Sequence, residues 1–401
     1  MAGAAIGVSH LVQATRAGAD YGYQLLVLVL LVNLFKYPFF EYGHRYAVAN
    51  RENLVNGYLR MGRPFLHAFL VLNLLSAVGG VAGVTFVTAG LAQHLFGSFL
   101  ETTGWSMVLM GVCLAILMIG RYRWLDLSMK GIVAVLFVST AAAFVAALVH
   151  GPVAPPDFVG LSAWTTTSLA FLIALMGWMP APIEVSVWQS LWIEAKERTT
   201  GKQTSLGAAK VDFNTGYGLT TVLAVLFLGL GALVMHGSGV ALQKSSSGFA
   251  AQLVDLYTQT LGTWAAPLIA VAALTTMFST MLTVLDAYPR SLAVGMQLVL
   301  PKLRLDLHAL HGIWIVGACL VSLIVINSFV NRLTELIDLA ATIAFLAAPV
   351  YAYLNYRLIV STHTPEDRRP GVGLRALSWA GLLFLSGFGL VFLVYRFAPG
   401  W

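Results

Sequence analysis

Charge is what this 401-residue chain has least of. Asp, Glu, Lys and Arg together make up 10% of it, where a soluble globular domain carries roughly 25%. That scarcity excludes a soluble enzyme. With 58% hydrophobic residues it also excludes a disordered chain, which needs low hydrophobicity to stay unfolded. Cysteine is as sparse: Cys113 and Cys319 are the two present, both inside apolar runs. A disulfide-stapled secreted module is therefore excluded, and both are expected as buried free thiols, because Cys packs as a small hydrophobe. No Cys/His spacing suggests zinc. Walker motifs are missing, so ATP does not drive this protein. Gly387-Phe388-Gly389 is no nucleotide loop, since no strand can precede it in an apolar helical run. No cofactor is expected. Long polar loops are missing too, which leaves no room for a second folded domain.

Long apolar runs are what the chain does have, at a mean hydropathy of +0.81. They lie near residues 2–18, 22–43, 64–90, 105–120, 131–149, 163–193, 213–235, 260–288, 311–329, 333–356 and 375–396. Each is about the length that crosses a bilayer, and each must be a helix, because hydrocarbon offers no partner to an unpaired amide. The expectation is an all-α polytopic membrane protein: one domain of eleven transmembrane helices over residues 1–401, with the lipid bilayer as its surroundings. The basic residues orient it. With the N-terminus cytoplasmic, 18 of the 23 Lys and Arg fall in inner loops, as the positive-inside rule requires. The outer side keeps Arg16, Lys244, Arg332 and Arg396. This places the protein in an inner or plasma membrane with its C-terminus external. It assigns the net charge of +6 to cytoplasmic loops and not to nucleic acid.

Two spans carry interruptions. The first reads Gly7-Val8-Ser9-His10, followed by Gln13; the sixth reads Gly177-Trp178-Met179-Pro180-Ala181-Pro182-Ile183-Glu184. Pro180 and Pro182 each remove a backbone donor and clash with a preceding carbonyl, so the sixth helix should break. A pair of interrupted helices at matching places in two halves points to a transporter binding site, with the freed backbone groups available to a ligand. Spans 1 and 6 open two five-helix repeats, about 1–150 and 160–357. An odd number of helices per repeat inverts the second relative to the first, and 375–396 lies outside both. About eight residues precede the first break. At 1.5 Å each they cover roughly 12 Å, under half the hydrocarbon core, so a start upstream of Met1 or a stub half-helix is expected.

Specific residues now carry a resemblance. Ala17-Gly18-Ala19-Asp20-Tyr21-Gly22-Tyr23-Gln24-Leu25-Leu26, then Val32-Asn33-Leu34 and Arg45, resembles the end of helix 1 and helix 2 of the NRAMP divalent-metal transporters. Met179-Pro180 resembles the start of that family's Met-Pro-His-Asn motif in helix 6. The resemblance implies a LeuT-type inverted 5+5 repeat with helices 1 and 6 broken, secondary active transport of divalent metal cations, and proton coupling. It also shows departures. Counting back from Ala17-Gly18, the family's metal-binding Asp falls on Gly7 and its Asn on His10. The family's Met ligand is kept as Met179, while its His and Asn after the proline fall on Ala181 and Pro182, and a further His on Ser186. His10 and Met179 are then the metal-ligand candidates. Gly7, Ser9, Gln13, Ala181, Glu184 and Thr342 complete the substrate-binding set, Glu184 as the replacement acid. Without a carboxylate at Gly7, such a site suits hard cations poorly.

Other charges within spans are expensive and so are functional candidates. Lys36 and Glu41 share span 2, and Lys36 has Glu184, Asp286 and Glu41 as candidate partners. Asp286 lies near the cytoplasmic end of span 8, suited to a gate; Glu335 and Asp338 share a face near the external end of span 10. Lys36, Glu41, Asp286 and Asp338 are the coupling and gating candidates. Gly79 and Gly83, four apart in span 3, suit close helix packing. A second function remains open: transport of a small organic solute on the same scaffold, held by half-helix N-termini with His10, Lys36 and Glu184 adding selectivity. A membrane receptor without transport is a third, opposed by the lack of any soluble domain.

Overall fold

The structure, a computed structural model, describes residues 5–119 and 122–398. Among the described residues all regular secondary structure is helical. The expected length of the first half-helix depends on residues 1–4 and lies outside the described residues. The first helix resumes after its break as a π-helical segment, Ser9–Ala14, and continues as α1, Thr15–Tyr21. Then follow α2 (Leu26–Asn50), α3 (Leu54–Met61), α4 (Arg63–Phe96), α5 (Thr102–Ile119) and α6 (Tyr122–His150). The sixth expected span is two half-helices, α7 (Leu169–Trp178) and α8 (Val185–Thr200). The remainder are α9 (Leu206–Leu230), α10 (Ser246–Leu261), α11 (Ala266–Val299), α12 (Leu307–Ser328), α13 (Leu333–Ile359) and α14 (Val372–Phe397).

Nine described helices are long and apolar enough to cross a membrane: α2, α4, α5, the 133–150 part of α6, α9, α11, α12, α13 and α14. The two expected spans outside this set are the interrupted ones. Two helices have no counterpart in the sequence reading. The short α3 is capped by the Asn53 side chain accepting from Asn56 N–H. The longer α10 starts at Ser245, whose side chain accepts from Gly248 N–H, and stops at Gly262 with φ 94°. It docks on α4, where Ser246 Oγ donates to the Phe86 carbonyl at 2.6 Å.

Small residues set how closely the helices approach, as membrane packing favours. A Cβ on Gly177 would fall 1.9 Å from the Ala341 carbonyl oxygen, so α7 and α13 touch backbone to backbone. Gly18 and Gly231 do the same between α1 and the end of the seventh span, at 1.9 Å from Leu228 O and 2.2 Å from Thr15 O. Gly79 meets Ala340 of α13, while Gly83 faces the Trp178 ring, so the expected packing pair serves two neighbours. Cys113 and Cys319 are buried free thiols, as expected.

Candidate functional site: the two helix breaks and the cavity between them

The break after α7 follows from its prolines. In a continuous helix the Met176 carbonyl would accept from residue 180 and the Trp178 carbonyl from residue 182; both are Pro and have no N–H. Met179 accordingly turns extended at φ −93°, ψ 123°, and helical bonding restarts with Val185 N–H on Pro182 O at 3.1 Å. The Met176 carbonyl, with two others at the break, finds a cation. Lys36 Nζ, on α2 and wholly buried, donates to Met176 O at 2.6 Å, Gly177 O at 2.8 Å and Ala181 O at 3.2 Å. None of its three candidate carboxylates bonds it directly: Glu41 and Asp286 are held by other cations, and Glu184 acts on it only at longer range. Glu41 binds Arg45 Nε through both oxygens, at 2.9 and 2.8 Å. Asp286 takes Arg290, with Trp192 Nε1 donating at 3.3 Å. Glu184 Oε1 accepts from the Tyr288 hydroxyl at 3.1 Å.

The break in the first helix is narrower than the expected Gly7–His10. It is confined to Ile6 and Gly7, because no proline follows: His10 N–H and Leu11 N–H both reach Gly7 O at 3.0 Å and winding resumes. Thr280 of α11 donates to Ile6 O at 2.8 Å. The Ser9 hydroxyl lies 2.8 Å from His10 Nδ1 and 3.4 Å from Pro180 O, linking the two breaks.

Between the breaks lies a cavity of about 40 Å³, lined by Ala5, Gly7, Val8 and Ser9 of the first helix and by Trp178, Ala181 and Pro182 of the second break. Gly80 and Val84 of α4, Trp188 of α8, and Thr280, Val284 and Tyr288 of α11 close it. A few waters or one small ion fill that volume. Of the sequence candidates, Gly7, Ser9 and Ala181 line it. His10 does not: its Nε2 sits 2.9 Å from Thr220 O on α9, so Nε2 carries the proton and Nδ1 accepts from Ser9. Met179 is fully buried but not on the wall. Glu184 is fully buried behind Tyr288, with Ser76 of α4 also beside its carboxylate. Thr342 is half-buried and also off the wall.

Gln13 and Asp338 form a second cluster nearer the other end. Asp338 accepts from Arg16 Nη1 at 2.9 and 2.7 Å and from Gln13 Nε2 at 3.1 Å. The Arg16 guanidinium also stands 4.5 Å over the Phe171 ring of α7 and 3.4 Å from Asp20. The first helix, α7 and α13 are thereby tied together. The role of Arg16 was missed from the sequence, although an arginine one turn from Gln13 was a signal. It also missed Trp178, Trp188 and Tyr288, which nothing local distinguishes from packing aromatics. Among the described residues no three or more His, Cys, Asp or Glu are grouped to hold a metal ion.

Two facing breaks in the first and sixth spans are the arrangement that the resemblance implies. The chain matches the family described as natural resistance-associated macrophage protein-like over residues 1–395. This chain belongs to the NRAMP family. Protein PM0681 of Pasteurella multocida (strain Pm70), itself uncharacterised, is 39% identical over 404 residues, covering 100% of this chain and 91% of that protein. The manganese transporter of Eremococcus coleocola superposes with a TM-score of 0.71 at 14% identity, covering 100% of this chain and 86% of that one. Mhp1, a nucleobase-cation-symport-1 family transporter solved closed with bromovinylhydantoin bound, superposes at 0.53 with 14% identity, covering 99% and 91%. At such identities the two structures establish the fold: this NRAMP-family chain has the architecture of broken-helix membrane transporters.

Proposed function

We propose that this NRAMP-family protein is a secondary transporter whose cargo passes through the cavity between the two breaks, with the arginine-rich end in the cytoplasm. The observation that carries the reading is the cavity itself, walled on two sides by unwound backbone at Gly7 and at Ala181-Pro182. Family membership makes a divalent metal cation the leading cargo, with proton coupling. In this chain the site is atypical. Among the described residues no carboxylate lines the cavity, so oxygen ligands come from backbone and from Ser9 and Thr280, and metal binding is weak. Glu184, held by Tyr288, is the acid nearest to the wall in bonding terms and serves as the coupling group. Arg16, Gln13 and Asp338 close the external path by joining the first helix to α13 and, through Phe171, to α7.

A small organic solute is the second reading, and one observation favours it. Trp178, Trp188 and Tyr288 make an aromatic wall, and the positive charge beside the break belongs to Lys36. Aromatic faces with few polar groups are what organic ligands meet in proteins. Uptake into proteoliposomes of Mn²⁺, set against radiolabelled amino and carboxylic acids, separates the two. Saturable Mn²⁺ flux supports the metal reading, and flux of an organic acid with none of Mn²⁺ overturns it. Flux of neither overturns the transport reading.

A further inference from the structure

Buried ammonium groups in membrane spans are expensive unless paired, yet among the described residues Lys36 bonds no carboxylate directly, and Glu184 acts on it only at longer range. Its environment resembles an ion site in its donor set. Three carbonyl oxygens at 2.6, 2.8 and 3.2 Å surround Nζ. An ammonium has three N–H donors on its side-chain end, so all three are used. Two of the oxygens, those of Met176 and Gly177, lie at the C-terminus of α7, where the helix dipole is negative. At least the Met176 carbonyl is orphaned by Pro180 whatever the tertiary structure does. The sequence therefore builds a cation-attracting cluster at the break and brings a cation to it from α2, 140 residues away.

We propose that the Lys36 ammonium is a tethered cation occupying a carbonyl seat at the α7–α8 break, and that removing this side chain opens the seat to a free ammonium-sized monovalent cation. Oxygen distances near 2.8 Å suit ammonium. They are too short for tetramethylammonium, whose methyl groups have no proton to donate. The seat itself does not depend on what the protein carries. Its consequence for cargo rests on the transport reading above: the lysine side chain already fills these carbonyls, so a mobile cation does not use them and transport needs no sodium or potassium there.

The test is the melting temperature of the full-length protein, purified in detergent, against ammonium chloride, with tetramethylammonium chloride at equal concentration as control. A ligand that binds the folded state alone raises stability with its concentration. Lys36→Ala is expected to melt below wild type and to recover by about 4 °C when ammonium reaches roughly a hundred times its dissociation constant. Tetramethylammonium should not restore it, and the wild type should respond to neither salt. Where Lys36→Ala yields no folded protein, Lys36→Gln takes its place, since its amide donates hydrogen bonds without a charge. Its amide reaches one bond less far than the lysine ammonium, so it is expected to melt low and to respond to ammonium more weakly than Lys36→Ala. A flat ammonium response in the variant, an equal response in wild type, equal rescue by tetramethylammonium, or a Lys36→Gln protein as stable as wild type would each overturn the proposal. None of these readouts involves a cargo, so a failed uptake experiment leaves this result interpretable.

Discussion

Asp338→Ala is the sharpest perturbation of the proposed external closure. The substitution removes the acceptor of two Arg16 bonds at 2.9 and 2.7 Å and of the Gln13 bond at 3.1 Å. Hydrogen bonds to charged groups contribute about 1.5–3 kcal/mol, and fully exposed ion pairs about 0–1 kcal/mol. The Arg16 and Asp338 side chains are 19% and 29% exposed, which places the pair between those limits. Arg16 also keeps Asp20 at 3.4 Å and the Phe171 ring at 4.5 Å, so part of the closure survives. A net loss of about 1–2 kcal/mol follows, which moves a closed-to-open equilibrium roughly 5- to 30-fold. The assay is thiol accessibility. Cys113 and Cys319 are replaced by Ala, and Ala181→Cys puts one thiol on the cavity wall. A membrane-impermeant methanethiosulfonate then labels it from outside. The labelling rate should rise by that factor in Asp338→Ala and remain near the parent in Asp338→Glu. An unchanged rate in a variant with an unchanged melting temperature would refute the assignment of this cluster as a closure.

Three further outcomes test the site and the packing. Gly7→Asp combined with His10→Asn should confer Mn²⁺ binding that the wild type shows weakly or not at all. A carboxylate about 4 Å from the ion adds on the order of 4 kcal/mol of gross attraction at an effective dielectric near 20. The new Cβ meets the Thr280 methyl at 2.9 Å, a side-chain atom that can move, and isothermal titration showing no gain would count against Gly7 as a cargo position. Gly177→Leu should cost about 3 kcal/mol of stability through overpacking, because its Cβ would fall 1.9 Å from the Ala341 backbone oxygen. Gly111→Ala, with nothing within 4 Å of the new Cβ, should leave the melting temperature at or above wild type.

How much of this was legible beforehand depends on the range of the interaction. The break at Met179–Pro182 was readable because a proline's missing N–H acts within four residues. The break at Gly7 was readable as a place, though its extent was overestimated: glycine permits a bend without removing any donor, so His10 and Leu11 return at once to Gly7 O. α10 was invisible as a helix because its composition is mixed and its apolar face is defined by α4, not by a bilayer. The aromatic wall of the cavity was invisible for a related reason, since Trp178, Trp188 and Tyr288 meet only when α7, α8 and α11 pack.

Composition and run length by themselves determined a helical membrane protein, because hydrocarbon accepts no other backbone. Local chemistry determined where its helices fail, and the motifs around Ala17–Leu26 and Met179-Pro180 pointed to its family. Only the tertiary structure decided partners. Lys36 was conspicuous as a charge in a span, and Pro180 announced an orphaned carbonyl, yet the sequence gives no sign that the two meet 140 residues apart. Arg16 and Asp338 were likewise two separate charges until the fold closed 322 residues of chain between them. Pairing across such separations is set by which helix faces interlock, and that depends on every packed glycine and alanine at once.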